Sequence, residues 1–71
     1  MNSFVLTSLG KSEAEKMSSS GPRFAIVSFL YEMDGPVDFE EITERLNTSD
    51  EKASMLLNSM LNEQSPLIKG A

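Results

Sequence analysis

Cysteine, histidine and tryptophan are all missing from this 71-residue chain, and tyrosine occurs once, at Tyr31. Without cysteine there is no disulfide framework, and without cysteine or histidine there is no zinc finger and no thiol or imidazole catalysis. Long apolar runs are missing as well. Ala25-Ile26-Val27 is broken by Ser28 before Phe29-Leu30-Tyr31, far short of the ~20 residues a membrane span needs. Met1-Asn2-Ser3-Phe4-Val5-Leu6 lacks the basic region and apolar stretch of a signal peptide. A soluble, cytoplasmic protein with no membrane partner is therefore expected. Basic residues are scarce: six Lys and Arg against eleven Asp and Glu give a net charge of −5. That is the wrong overall sign for nonspecific nucleic-acid binding, which needs a basic footprint. It leaves open a local basic face, because net charge bears on partners rather than on fold.

What remains is enough for one small core. Ordering a chain of this length costs on the order of 100 kcal/mol in conformational entropy, and a 39% apolar content only just offsets that sum. One domain, residues 1–71, is expected, too short for a Rossmann domain or a barrel. Docking on a partner or forming a homodimer would add stability. Ser18-Ser19-Ser20-Gly21-Pro22 reads as a linker, 18–22, between a short first part, 1–17, and a richer second part, 23–69. In the first part Ser3 to Thr7 has the composition of a strand. Ser8-Leu9-Gly10 reads as a turn, and Lys11 to Met17 as a helix of about two turns, with Ala14 and Met17 on one side.

In the second part Pro22 suits the opening turn of a helix. Arg23 to Met33 is apolar almost all round, through Phe24, Ile26, Val27, Phe29, Leu30 and Tyr31. Such a helix is central, or shares a second face with a partner. Asp34-Gly35-Pro36 ends it. Asp38 with Glu41 forms a capping-box pattern. Phe39, Ile42 and Leu46 then follow helical spacing, while Glu40, Glu41 and Glu44 face water. After a turn at Asn47-Thr48-Ser49, Thr48 with Glu51 forms a second such pattern. It opens a helix to about Asn62, whose apolar stripe is Ala53, Leu56, Leu57, Met60 and Leu61. Ser65-Pro66 precedes Leu67-Ile68-Lys69, a short strand ended by Gly70.

Catalysis has no support. Asp34 and Asp38 share a turn, and Glu40, Glu41 and Glu44 cluster on a helix, without metal-loop spacing. Ser18 to Ser20 have no activating base. The chain is expected not to be an enzyme and to hold no cofactor or metal.

Three helices with a short turn between the second and third match a helix-turn-helix unit, whose last helix enters a major groove. The expected fold is mainly α with a small β-sheet: a three-helix core plus two short antiparallel strands. The segment Pro22 to Lys69 resembles the winged-helix domains of prokaryotic regulators of the MarR and ArsR groups. The resemblance is carried by Arg23 to Leu30, Val37-Asp38-Phe39-Glu40-Glu41-Ile42 and the helix from Thr48 to Leu61. A second resemblance lies at Val5-Leu6-Thr7-Ser8-Leu9-Gly10-Lys11, followed by Ala14-Glu15. It is similar to the segment that follows the wing in those families, displaced here to the front of the chain. Phe4 to Thr7 would then be the return strand, pairing with Leu67 to Lys69 within one molecule; the alternatives are a coincidental Leu-Thr and an N-terminal strand pairing between two subunits.

The resemblance implies a DNA-binding transcriptional regulator. The residues placed to contact DNA are Arg45, Thr48, Ser49, Lys52, Ser54, Asn58 and Lys69, with Lys11 as a further cation on that side. Ser and Asn contact phosphates, and Asn suits adenine. Against this, the third helix has no Arg, and Asp50 and Glu51 stand at its leading end, where the helix dipole favours carboxylates. Arg23 is expected to pair with a nearby carboxylate or a helix end rather than with DNA. The rival function is a winged helix used for protein contact. It is favoured by the acidic balance, by the apolar first helix, and by Met17, Met33, Met55 and Met60 as adaptable contact residues; the alternative for Met17, Met33 and Met60 is that they fill the small core. Met55 falls off the core stripe and is expected to be exposed or at an interface.

Overall fold

The computed structural model of the chain describes residues 3–16 and 21–71. Met17 and linker residues 18–20 lie outside the described residues. The elements are β1 (Ser3–Leu6), α1 (Ser8–Lys16), α2 (Pro22–Met33), β2 (Val37–Asp38), α3 (Phe39–Leu46), α4 (Asp50–Leu61) and β3 (Ile68–Gly70). The described residues are mainly helical, with a three-stranded antiparallel sheet in the order β2–β1–β3. No described helix is long and apolar enough to cross a membrane.

The two ends of the chain meet in that sheet. Phe4, Val5 and Leu6 stand opposite Gly70, Lys69 and Ile68, and the Ala71 amide donates to the Ser3 carbonyl at 2.9 Å. Pairing Phe4 to Leu6 with the last strand inside one molecule removes two lone strand edges at once. The sheet has a third member where two strands were expected. Ser3 and Phe4 also face Asp38 and Val37, and the Ser3 hydroxyl donates to Asp38 at 2.7 Å. β2 is only two residues long, too short for the alternation that marks a strand in a sequence. The last strand is also displaced by one residue, to Ile68–Gly70, with Gly70 inside it.

The first helix starts earlier than expected, because Ser8-Leu9-Gly10 is its opening turn rather than a separate one. Thr7 is the reason. Its hydroxyl accepts the Gly10 amide at 3.0 Å and its carbonyl accepts the Lys11 amide at 3.0 Å, which is how an N-cap residue satisfies a helix start. The same hydroxyl donates to the Pro66 carbonyl at 2.8 Å, and the Thr7 amide donates to the Leu67 carbonyl at 3.0 Å. Thr7 thus caps α1 and ties it to the strand at the other end of the chain. Gly10 is required by the same contact, since a Cβ there would lie 2.1 Å from the Leu67 carbonyl oxygen.

The second part follows its apolar spacing closely. Pro22 belongs to α2 rather than to the linker, at a position where its missing amide costs nothing. Ile26, Val27, Phe29 and Leu30 of α2 are buried, and the helix packs on α1, α3 and β1. Asp34 ends it in the left-handed conformation, φ 53°, with its amide on the Leu30 carbonyl. Asp38 caps α3, and its amide donates to the Glu41 carboxylate at 3.2 Å. Asn47 ends α3 in the left-handed region, which Asn tolerates better than most residues. The cap of α4 is Ser49, not Thr48 with Glu51: the Ser49 hydroxyl accepts the Lys52 amide at 3.2 Å. With Ser49 as N-cap the third helical residue is Lys52, so no Glu is placed to complete a box.

One cluster unites these parts. Phe4 of β1, Ala14 of α1, Val37 of β2, Ile42 of α3, Leu57 and Met60 of α4, Leu67, and Ile68 of β3 pack with the buried face of α2. Tyr31 on the outer side of α2 donates to Glu15 of α1 at 3.2 Å. The carboxylate holds that phenol above its ordinary pKa.

Candidate nucleic-acid interface

Around the turn between α3 and α4 the chain forms a groove of about 590 Å³. Its floor is apolar: Pro22 and Ala25 come from the start of α2, Leu46 from the end of α3, and Ala53 and Leu56 from α4. Its rim carries Arg45, Asn47, Thr48 and Lys52. Among the described residues, Arg45 and Lys52 are the only charged ones that line it. In a chain with eleven carboxylates, none lines this groove.

Three of the seven sequence-derived candidates, Arg45, Thr48 and Lys52, are therefore brought together. Arg45 is held from below by Phe29, whose ring centroid lies 4.5 Å from the guanidinium carbon. It also pairs with Glu32 of α2. Both side chains of that pair are half or more exposed, so the bond contributes at most about 1 kcal/mol and a phosphate could replace the carboxylate at small cost. Ser49 is used in capping α4, as described above. Ser54 is half-buried and Asn58 exposed, both on the part of α4 turned away from the groove floor. Lys69 is exposed on β3, opposite Val5.

One solvent-facing stripe runs along α4, beside the also exposed Asp50, Lys52 and Ser59. Glu51, Met55, Asn58 and Asn62 follow one another at four, three and four residues and are all exposed, a solvent stripe opposite Ala53, Leu57 and Met60. Met55, at 68%, is the most exposed of the large apolar side chains among the described residues. The Asn62 side chain donates to the Asn58 carbonyl at 2.9 Å and closes the helix end. Asp50 and Glu51 occupy the first turn, so α4 alone carries more negative than positive charge. Among the described residues Lys11, Lys52 and Lys69 are in no ion pair, whereas Lys16 pairs with Glu13 and Arg23 with Glu63.

The Arg23 partner was not foreseeable by position, since Glu63 lies forty residues away along the chain. The Arg23 Nε–H donates to it at 2.8 Å. The guanidinium's hydrogen bonds, and then its charge, keep the Glu63 carboxyl below its ordinary value. A depressed folded-state pKa gives stability that is present above the unfolded value and lost as pH falls through the folded one. Glu63→Gln is therefore expected to destabilise the protein at neutral pH by less than about 1 kcal/mol. The difference from wild type should close as pH falls below about 4.5. Urea unfolding of both proteins between pH 3 and 7 checks it.

Compared with protein-family models, curated proteins and solved structures, the chain matches none.

Proposed function

We propose that this chain is a DNA-binding module of winged-helix type, a transcriptional regulator that lays α4 in a major groove and holds flanking phosphates with Arg45, Thr48, Lys52 and Lys69. The observation that carries the reading is the charge of the groove at the α3–α4 turn. A strongly acidic chain has kept every carboxylate out of it and placed two cations on its rim. Support comes also from the sheet. The Leu-Thr strand lies beside the strand that follows α4, the place the family resemblance assigns to a return strand.

About three phosphate contacts imply weak binding and a shallow salt dependence, with log K falling against log salt at a slope near −2.7. Asp50 and Glu51 weaken the affinity further without changing which residues touch the backbone. Amide NMR shifts during titration with mixed-sequence duplex at low salt should move residues 48–62 and Lys69 and leave the α1 face still. Lys52→Ala should weaken binding and bring the slope about one unit closer to zero. No shift at millimolar duplex would refute the DNA reading. The exposed face of α4, with Met55 at its centre, would then be a protein-contact surface.

A further inference from the structure

The side chains α4 presents to solvent have a chemistry of their own. Arg and Lys are the usual bidentate readers of guanine, and the stripe Glu51–Met55–Asn58–Asn62 contains neither. Lys52 stands off that stripe, on the rim of the groove. Near the stripe's centre is an apolar side chain, Met55, 68% exposed. A turn further on is Asn58, an exposed amide that offers one donor and one acceptor in the pairing adenine presents at N6 and N7. Asn62 is spent on the Asn58 carbonyl at 2.9 Å, which leaves Asn58 as the stripe's available amide. The apolar feature unique to the major-groove edge of a base pair is the C5 methyl group of thymine. Met is a polarisable, adaptable chain suited to such a contact.

Resting on the DNA reading of α4 above, we propose that this helix selects A·T base pairs, with Met55 packed on a thymine C5 methyl and Asn58 paired with an adjacent adenine. Met55 and Asn58 are then its specificity-determining residues. Lys52 and Arg45 fix its register without reading sequence.

The test uses fluorescence anisotropy of the full chain at low salt with three duplexes of equal length: A·T-rich, the same duplex with uracil in place of thymine, and G·C-rich. The A·T-rich duplex should bind about fourfold more tightly than its uracil form, the value of one buried methyl group. It should bind at least fivefold more tightly than the G·C-rich duplex, the lower end for one lost bidentate contact. Met55→Ala, at a site too exposed to disturb folding, should abolish the thymine–uracil difference and keep the preference over G·C. Asn58→Ala should keep the thymine–uracil difference and reduce the preference over G·C to about that same fourfold, because a G·C pair also lacks the methyl group. Equal binding to all three duplexes overturns this inference and leaves the DNA reading in place. A thymine–uracil difference that survives Met55→Ala overturns the role given to Met55. Binding to none overturns the DNA reading and this inference together.

Discussion

Gly10→Ala is expected to cost this protein about 3 kcal/mol or more, on the order of 15 °C in melting temperature for a domain of this size. In an ordinary helix the same change gains up to ~1 kcal/mol, because alanine is the better helix former. Here the sign reverses. The new Cβ would sit 2.1 Å from the Leu67 carbonyl oxygen and 3.0 Å from a Leu6 methyl. The carbonyl is backbone and cannot swing aside. It also accepts the Thr7 amide at 3.0 Å, so moving it breaks the bond that joins the two ends of the chain. Folded domains hold roughly 0.05–0.15 kcal/mol per residue, which makes this loss a large share of the total. Gly70→Ala is the control: nothing lies within 4 Å of a Cβ there, and its effect should stay within about 0.5 kcal/mol. Thermal melts of both variants followed by circular dichroism decide the matter. Equal melting temperatures would mean that α1 does not pack on Leu67.

Ile68→Ala should be comparably damaging, at about 3 kcal/mol, from the lost burial and the cavity left behind. Ile68 is fully buried and stands opposite Leu6 in the register between β3 and β1. Its neighbour Lys69 points out of the same strand, and Lys69→Ala should change stability by less than about 0.5 kcal/mol. A sensitive buried position followed directly by a tolerant exposed one is what a strand with one buried face produces. A dangling end would give small effects at both positions. Urea midpoints at constant m separate these outcomes.

Where one helix face had to be apolar, the pattern of residue types was sufficient. The stripe Ala53, Leu56, Leu57, Met60 and Leu61 placed α4 correctly and put Met55 outside it, because packing at helical period leaves a local record. The pairing of Phe4–Leu6 with the last strand was readable from Leu-Thr-Ser-Leu-Gly-Lys, whose Thr and Gly both serve contacts to Pro66 and Leu67. The same Gly misled at closer range. Glycine usually marks a turn, but Gly10 lies in a helix because another backbone passes close to it, a tertiary fact with no local signature. β2 was hidden for a different reason, since two residues cannot display alternation. Thr48 and Ser49 are both good caps, and only the path of the chain after Asn47 chooses between them. At the candidate interface, Arg45, Thr48 and Lys52 were readable as neighbours because they flank one turn. The apolar floor from Pro22 and Ala25, and the hold of Glu32 and Phe29 on Arg45, depend on how α2 packs.

The fold depends most heavily on a sheet completed inside one molecule by β1, which pairs with both β2 and β3. Cross-strand NOEs in an equimolar mixture of isotope-labelled and unlabelled protein test this directly. Contacts between Phe4 and Gly70 and between Leu6 and Ile68 should appear within labelled molecules and be absent from the spectrum filtered for labelled-to-unlabelled pairs. If those contacts appear only in the filtered spectrum, the strand is exchanged between two chains and the intramolecular fold is wrong.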